Sequence, residues 1–258
     1  MTRDDIDEAR DWRGEDVDCR ACRHRDLAKS GGCRLLRACV NDRYAKRIAR
    51  FFDWNPALAN AYLDHPHFEV RAIAAKHADL FHLPALLSDE DETVRWNAAQ
   101  RLPKRYLLQL RGDPHREVRI RVAVRLEGVA LMAMMDDPDY YVRVTVARHI
   151  RPDLLPLMLH DPEPEVRRTV ARRIDGNWLG RLTADEDGAV RLVVAQRMTP
   201  ESLCALSGDE DWRVRYEVAA RAPVTDLGQL VDDPDPVVGA TAAARLGLAG
   251  ADTGLSLR

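Results

Sequence analysis

Four cysteines lie close together near the N-terminus. Cys19, Cys22, Cys33 and Cys39 form the pattern C-x2-C-x10-C-x5-C. Thiolates at this density are typical of metal or cluster sites in a reducing compartment, and a C-x2-C pair brings two of them to one site. A Ser-Gly-Gly turn directly before Cys33 allows the chain to return with the third thiol, since glycine permits close backbone approach. The spacing therefore predicts one site with these four cysteines as ligands.

The spacing leaves the identity of the bound metal open. Tetrahedral zinc and an iron–sulfur cluster both accept four thiolates. The pattern matches no ferredoxin run and lacks the second C-x2-C pair of many zinc sites. His24 and His65 are weaker alternative ligands, and unligated thiols are a further alternative. Cys204 stands apart between two leucines and is expected to be a small core residue.

Charge is distributed unevenly around the cysteines. Residues 1–18 carry eight acidic and three basic side chains and are expected to form a mobile acidic arm. Residues 20–50 carry ten Lys and Arg against two Asp and Glu, whereas the whole chain has a net charge of −3. This basic segment would offset the negative charge of a four-thiolate centre and tune its potential.

Most of the chain is built on a 24-residue repeat. The constant position is a valine, followed by arginine in seven copies and, five residues after the valine, by alanine in all eight. Asp lies five residues before the valine in seven copies, and His65 takes its place before Val70. Such a fixed period indicates a solenoid of stacked units. The valines are Val70, Val94, Val118, Val142, Val166, Val190, Val214 and Val238.

Each repeat divides into two helical pieces. Asp is a good N-cap and Pro or Glu suits the first helical turn, so the first piece is predicted to start at the Asp five residues before the valine. The valine and the residues four and eight later share a buried face with the constant alanine. A pair of leucines three positions apart follows in the second piece, as at Leu83 and Leu86, and predicts a short α- or 3₁₀-helix. Period-2 alternation, the mark of strands, is absent.

The repeated arginine lies beside the buried face of this helix. It is therefore expected to pair with an Asp or a loop carbonyl of its own or the adjacent repeat, in a ladder that fixes the stacking. A free basic stripe for nucleic acid is less favoured, because the solenoid is acidic overall.

The unit D-P-x-x-x-V-R-x-x-V-A-x-R at a 24-residue period resembles the leucine-rich repeat variant family, and the cysteines resemble its N-terminal module. The resemblance implies an all-α, right-handed superhelical solenoid of α- and 3₁₀-helices without strands. It also implies a 4Fe–4S cluster on Cys19, Cys22, Cys33 and Cys39. We predict an acidic arm and cysteine module at 1–50, a solenoid at 51–246 and a fraying tail at 247–258. The first repeat, at 51–66, is degenerate, with Phe51, Phe52 and Trp54 sealing the open end of the stack.

Three functions fit these expectations. The first is an iron–sulfur scaffold that binds a protein on the concave solenoid face and could respond to redox state or iron. The second is electron transfer through the basic module, and the third is a zinc- or cluster-dependent regulator that binds nucleic acid. We expect no enzyme, since nucleotide-binding and nucleophile motifs are absent. A cytoplasmic location without membrane contact is expected, because no apolar run approaches ~20 residues.

Overall fold

The computed structural model describes residues 8–248. The described residues fall into two compact units, one that ends at Leu126 and one that begins at Glu127. The predicted fraying tail lies outside the described residues from position 249 on, as do residues 1–7 of the predicted acidic arm. The domain boundaries at 50 and 246 stay predictions.

Helices account for all the regular structure in residues 8–248. Isolated bridges join Arg10 to Asp16 and Arg34 to Ala38, and no strand is formed in this range. Neighbouring α-helices pack side by side within each unit, α3 on α4 in the first and α8 to α12 in succession in the second. The α-helices are α1 (Arg25–Lys29), α2 (Ala45–Trp54), α3 (Phe68–Ala74), α4 (Glu92–Arg101), α5 (Lys104–Leu107), α6 (Arg116–Arg125), α7 (Gly128–Met132), α8 (Tyr140–His149), α9 (Pro164–Arg173), α10 (Gly188–Arg197), α11 (Trp212–Arg221) and α12 (Pro236–Arg245).

The leucine-rich second piece of each repeat is mostly a 3₁₀-helix. Its two leucines are buried, as at Leu203 and Leu206, because three residues per turn place them on one side. One repeat has the short α-helix α7 here instead, and another has α5 directly before its 3₁₀-helix. The 3₁₀-helices are Pro56–Tyr62, Leu83–Ser88, Leu108–Gly112, Pro152–Met158, Gly176–Arg181, Pro200–Leu206, Val224–Asp226 and Gly228–Leu230.

The same geometry corrects the expectation for Cys204, which is exposed. Cys204 follows Leu203 directly, and one residue is a rotation of about 120° in a 3₁₀-helix. Its side chain therefore leaves the face on which Leu203 and Leu206 are buried.

The predicted helix starts are wrong by two residues. In α10 the N-cap is Asp187, three residues before the valine, and its carboxylate accepts hydrogen bonds from the backbone N–H groups of Ala189 and Val190. Asp185, the expected cap, instead accepts from the backbone N–H of Asp187 and pairs with an arginine of the preceding repeat. The last repeat follows the same scheme, because Asp233 binds an arginine while Asp235 caps α12.

The arginine that follows the valine forms the expected ladder. In each pair its Nε and Nη2 donate to the two carboxylate oxygens of the Asp 18 residues later, at 2.7–3.0 Å. Its Nη1 donates to the carbonyl six residues earlier, in its own repeat. The pairs are Arg71–Asp89, Arg95–Asp113, Arg143–Asp161, Arg167–Asp185, Arg191–Asp209 and Arg215–Asp233.

A second arginine, seven residues after the valine, binds the backbone carbonyl of the constant alanine one repeat earlier. Arg221 donates from Nη1 to the carbonyl of Ala195, the constant alanine one repeat earlier, at 2.7 Å. Arg245 does the same to Ala219 at 2.9 Å. These alanines are fully buried, as predicted, and their carbonyls lie at a helix C-terminus, where cations and donors are favoured.

The first repeat starts earlier than predicted, and one of the three aromatic residues expected to seal the end of the stack is exposed. Its helix α2 begins at Ala45, not near residue 51. Phe51 and Phe52 are buried, as the expected seal requires, but Trp54 remains 41% exposed. Among the described residues, no helix combines the length and the apolar character that crossing a membrane demands.

Candidate metal centre

The segment before the cysteines is folded from residue 8, which corrects the expectation of a mobile arm over its described part. Arg10 is bridged to Asp16, and the backbone N–H of Arg43 donates to the carbonyl of Arg10 at 3.0 Å. Trp12 stacks on His67 at the start of α3, with 5.6 Å between ring centroids and 9° between ring planes. This segment therefore connects the cysteine module to the repeats.

The four predicted ligands lie at different depths in the module. Cys19 is exposed, Cys22 and Cys33 are half-buried, and Cys39 is buried. The thiols are close enough to affect one another electrostatically. The pKa of Cys33 is raised first by burial and then by Cys22 and Cys19, and the pKa of Cys39 is raised by the same two residues in addition to its burial.

Burial dominates the protonation of these thiols. Desolvation raises the pKa of Cys39 to about 12, although a backbone hydrogen bond from Asn41 opposes it. Burial also raises the pKa of Cys19, with smaller contributions from Cys22 and Asp18. Since a metal-bound cysteine is a thiolate, binding at this site must release protons.

Hydrogen-bond donors converge on one of the sulfurs. The backbone N–H of His24 and the side-chain amide of Asn41 both donate to Cys22 Sγ at 3.4 Å. Donors of this kind stabilise sulfur that carries negative charge, and they tune the potential of a cluster.

The two histidines considered as ligands have other partners. His24 is buried, and its Nε2 forms a short hydrogen bond with the hydroxyl of Tyr62. Burial lowers the pKa of His24, and Arg23 adds to this effect, so the ring is neutral near pH 7. His65 accepts a hydrogen bond at Nδ1 from the backbone N–H of His67. His24 therefore helps to hold the module against the first repeat, and His65 makes an edge contact with the ring of Trp12, with 6.5 Å between ring centroids.

Helix α2 holds the cysteine loops by three further contacts. Asn55, directly after α2, donates from Nδ2 to the carbonyls of Gly32 and Phe51 at 2.7 and 2.8 Å. The backbone N–H of Cys39 donates to the carbonyl of Arg47 at 3.1 Å. Arg47 pairs with buried Asp42 at 2.9 Å.

Arg47 occupies the ladder position of the first repeat but has a different partner. The position at which later repeats supply the ladder Asp is taken by His65 in this copy. Arg47 therefore pairs with Asp42 inside the module instead of pairing with the following repeat.

The loop between Cys33 and Cys39 is a tight turn. Arg34 and Ala38 exchange backbone hydrogen bonds at 2.8 and 2.9 Å. Leu36 has φ of 60°, a left-handed conformation that costs a non-glycine residue about 1–2 kcal/mol. The turn keeps Leu35 and Leu36 exposed.

The donor set fits a cluster with four thiolate ligands. Within residues 8–248, no three His, Cys, Asp or Glu side chains converge on a point that one metal ion would occupy. A 4Fe–4S cluster does not need such convergence, because each of its four irons takes its own cysteine. When bound, the cluster exchanges single electrons at a potential set by hydrogen bonds to sulfur, by charge and by exposure.

Comparison with known proteins identifies the fold. A solved structure, described as a leucine-rich repeat variant with a novel repetitive protein structural motif, aligns with a TM-score of 0.83 and 40% sequence identity. The alignment covers 91% of this chain and 98% of that one. This chain belongs to the leucine-rich repeat variant family. The predicted solenoid of alternating α- and 3₁₀-helices is thereby confirmed.

Two further matches concern the module and part of the chain. Residues 9–61 of this leucine-rich repeat variant match the family model described as "LRV protein FeS4 cluster". The match confirms the predicted 4Fe–4S cofactor and disfavours zinc. A Rhodobacter capsulatus protein, described as an uncharacterized 27.7 kDa protein in the nifB 3′ region, is 56% identical over 93 residues, or 36% of this chain. The match spans 38% of the length of this curated relative.

Residues other than cysteine were missed from the sequence. Tyr62 occupies the position one repeat before Leu86, where the following repeats have Leu or Met, and this exchange is the signal that could have revealed it. Asn41 and Asn55 carry no such signal. The side-chain amide of each donates a hydrogen bond to a cysteine loop, and the sequence does not reveal the course of these loops. The assignment of Cys19, Cys22, Cys33 and Cys39 as ligands stays a prediction.

Proposed function

We propose that this iron–sulfur repeat protein is a cluster-dependent interaction scaffold. Its repeats bind a protein partner, and its cluster controls whether the first repeats are properly formed. The proposal is supported above all by the contact between His24, which lies between two predicted ligands, and Tyr62 of the first repeat. Asn55 and Arg47 also connect the cysteine loops to the first repeat. Loss of the cluster would release these loops and loosen the repeat that they contact.

The scaffold is not an enzyme in this proposal. The two acids that precede α10 are already engaged, because Asp185 is bound to Arg167 and Asp187 caps the helix. Nucleic acid is a weaker candidate partner, since the ladder guanidiniums face carboxylates at 2.7–2.8 Å and are not available for phosphate.

The scaffold role is tested by comparing two matched cysteine variants in the native cells. We purify three tagged chains without oxygen: wild type, Cys39→Ser and Cys204→Ser. Co-purified proteins are identified, and the molar ratio of each to the tagged chain is measured. We expect one defined partner with wild type and with Cys204→Ser, and its loss with Cys39→Ser. Recovery of the same partner with all three would contradict the dependence on the cluster. Absence of a stoichiometric partner from wild type would contradict the scaffold role itself.

Electron transfer is the second candidate, and the exposure of Cys19 together with the basic surface of the module favours it. Voltammetry of the holo-protein on an electrode tests this role without any partner. A reversible one-electron wave that survives repeated cycles would support it. Loss of iron and sulfide during the first cycle would exclude it.

A further inference from the structure

The first repeat exposes positions that the next repeat buries. Val70, Ala74 and Ala78 are buried in the second repeat. The residues at the same positions one repeat earlier are Lys46, Arg50 and Trp54, and all three are exposed. Helix α2 buries a different face, which includes Ile48 and Phe51. One face of α2 is therefore basic and aromatic where a regular repeat would be aliphatic.

The turn between Cys33 and Cys39 lies against this face. The guanidinium of Arg37 is 5.9 Å from the ring centroid of Trp54, and Arg50 Nη1 donates to the carbonyl of Arg37 at 2.8 Å. Leu35 and Leu36, next to Arg37, are 40% and 42% exposed. We call the surface formed by Leu35, Leu36, Arg37, Arg50 and Trp54 the module patch.

The module patch carries positive charge without matching carboxylates. Within residues 8–248, Arg37 and Arg50 of the patch form no ion pair, and neither do Arg34 in the same turn and Lys46 in the same helix. The acids nearest in sequence face elsewhere. Asp42 is buried with Arg47, and Asp53 contacts His77 at 3.7 Å. A partner with carboxylates around its contact site would meet unpaired cations here.

The leucines are held outward by a turn that the chain could have made with less strain. Leu36 adopts φ of 60°, which glycine tolerates without penalty, yet the position carries a large apolar side chain. An ordered, exposed apolar centre with a charged rim is the arrangement found at protein–protein contacts. The guanidinium of Arg37 lies over one face of the Trp54 ring and would compete with a base for stacking there. These features favour a protein over nucleic acid as the occupant.

We infer that the module patch is the docking site for a small acidic electron-carrier protein. This inference rests on the electron-transfer role proposed above. Leu36 is three residues from both Cys33 and Cys39, so its Cα lies within about 11 Å of the Cα atoms of both. A docked carrier would therefore be close to the cluster. In the transfer step the reduced carrier loses one electron and the cluster gains one, and no covalent bond is formed or broken.

The test measures docking and reduction of the anaerobic holo-protein separately. Two acidic carriers, a flavodoxin and a plant-type ferredoxin, serve as probes in calorimetric titrations at low ionic strength and in stopped-flow reduction. The patch variants are Arg37→Glu, Arg50→Glu and Leu35→Ser/Leu36→Asn. The matched controls are Arg172→Glu and Leu157→Ser, both at exposed positions of the second unit. Iron, sulfide and the visible spectrum are checked for each variant, and Leu36→Gly removes the leucine while relieving the strained turn.

We expect each patch variant, including Leu36→Gly, to weaken docking about tenfold and to slow reduction equally, since these contacts contribute to association and not to the potential. The controls should match wild type, and higher salt should weaken wild-type docking. Equal affinity of patch and control variants would overturn the inference, as would no association with either carrier below about 1 mM. Patch-dependent binding to phosphatidylglycerol vesicles or duplex DNA in place of the carriers would also overturn it. A reversible potential on the electrode combined with failed docking would refute the patch and leave electron transfer standing.

Discussion

The two arginines that recur in most repeats satisfy different acceptors. Arg191 spans the junction between repeats, because it binds both carboxylate oxygens of Asp209 and the carbonyl of Asp185. The hydrogen bond to Asp209 is the largest cause of its raised pKa. Arg197 reaches backwards instead, to the carbonyl of Ala171 at 2.6 Å. Lysine could not replace Arg191, since it lacks the planar fork that binds two oxygens at once.

Removing one ladder arginine should destabilise the second unit strongly. Arg191→Ala leaves Asp209 buried without its partner, at a cost of about 3–5 kcal/mol, and Arg191→Lys should recover less than half of this. Urea unfolding at neutral pH measures the effect. Arg151→Ala is the control, because it breaks an exposed pair with Asp153 worth at most about 1 kcal/mol. Equal midpoints for Arg191→Ala and Arg151→Ala would show that the ladder contributes no stability.

The ladder also predicts sensitivity to acid. The hydrogen bond from Arg215 holds the pKa of Asp233 below its ordinary value of about 3.9. Its stabilising effect is therefore complete above the unfolded pKa and is lost as pH falls through the lower folded pKa. We expect the urea midpoint to drop between about pH 5 and pH 3. Asp233→Asn should be less stable at neutral pH and show a smaller drop, and an unchanged pH profile would count against this origin.

Among the structural elements, the α-helices differ in how their first turns are capped. Asp187 accepts two backbone N–H groups at the start of α10, whereas Glu163 at the start of α9 forms no side-chain cap. Asp187→Ala should lower the free energy of unfolding by about 1 kcal/mol, and Glu163→Asp should raise it by a similar amount at constant charge. Urea unfolding of both variants checks the pair. If Glu163→Asp lowers stability, the cap assignment is wrong.

The two aspartates that precede α10 also show where sequence reasoning reached its limit. Periodicity alone located the buried valine, alanine and leucine positions, since burial follows from helical geometry. It could not distinguish Asp185 from Asp187, because both precede the helix and both suit an N-cap. Only the arginine of the preceding repeat separates them, and that contact is tertiary.

In the cysteine module, sequence reasoning predicted even fewer of the tertiary contacts. Cysteine spacing predicted a cluster site without any knowledge of the fold. The supporting residues Asn41, Asn55 and Tyr62 act across loops whose course the sequence does not reveal. The packing of Arg10 and Trp12 was missed for a related reason, since the acidic composition of their segment suggested disorder.

At the scale of the whole molecule, the repeats make stability a local property. Each repeat contacts mainly its neighbours, so a perturbation at one end decays along the stack. The module contacts α2 and the 3₁₀-helix Pro56–Tyr62 directly, through Arg47, Asn55 and Tyr62. Removing the cluster should therefore loosen the first repeats and spare the distant ones.

Hydrogen exchange of holo- and apo-protein tests this decay. After anaerobic chelation of iron, we expect amide protection in Ala45–Trp54 and Pro56–Tyr62 to fall about tenfold or more, because local opening no longer requires loss of the cluster contacts. Protection in Gly188–Arg197 should stay unchanged and serves as the internal control. The variant Tyr62→Phe should show part of the same loss with the cluster still bound, since it lacks the hydroxyl that meets His24. Uniform loss along the chain would mean that the stack unfolds as one unit, and no loss in α2 would mean that the cluster does not support the first repeat.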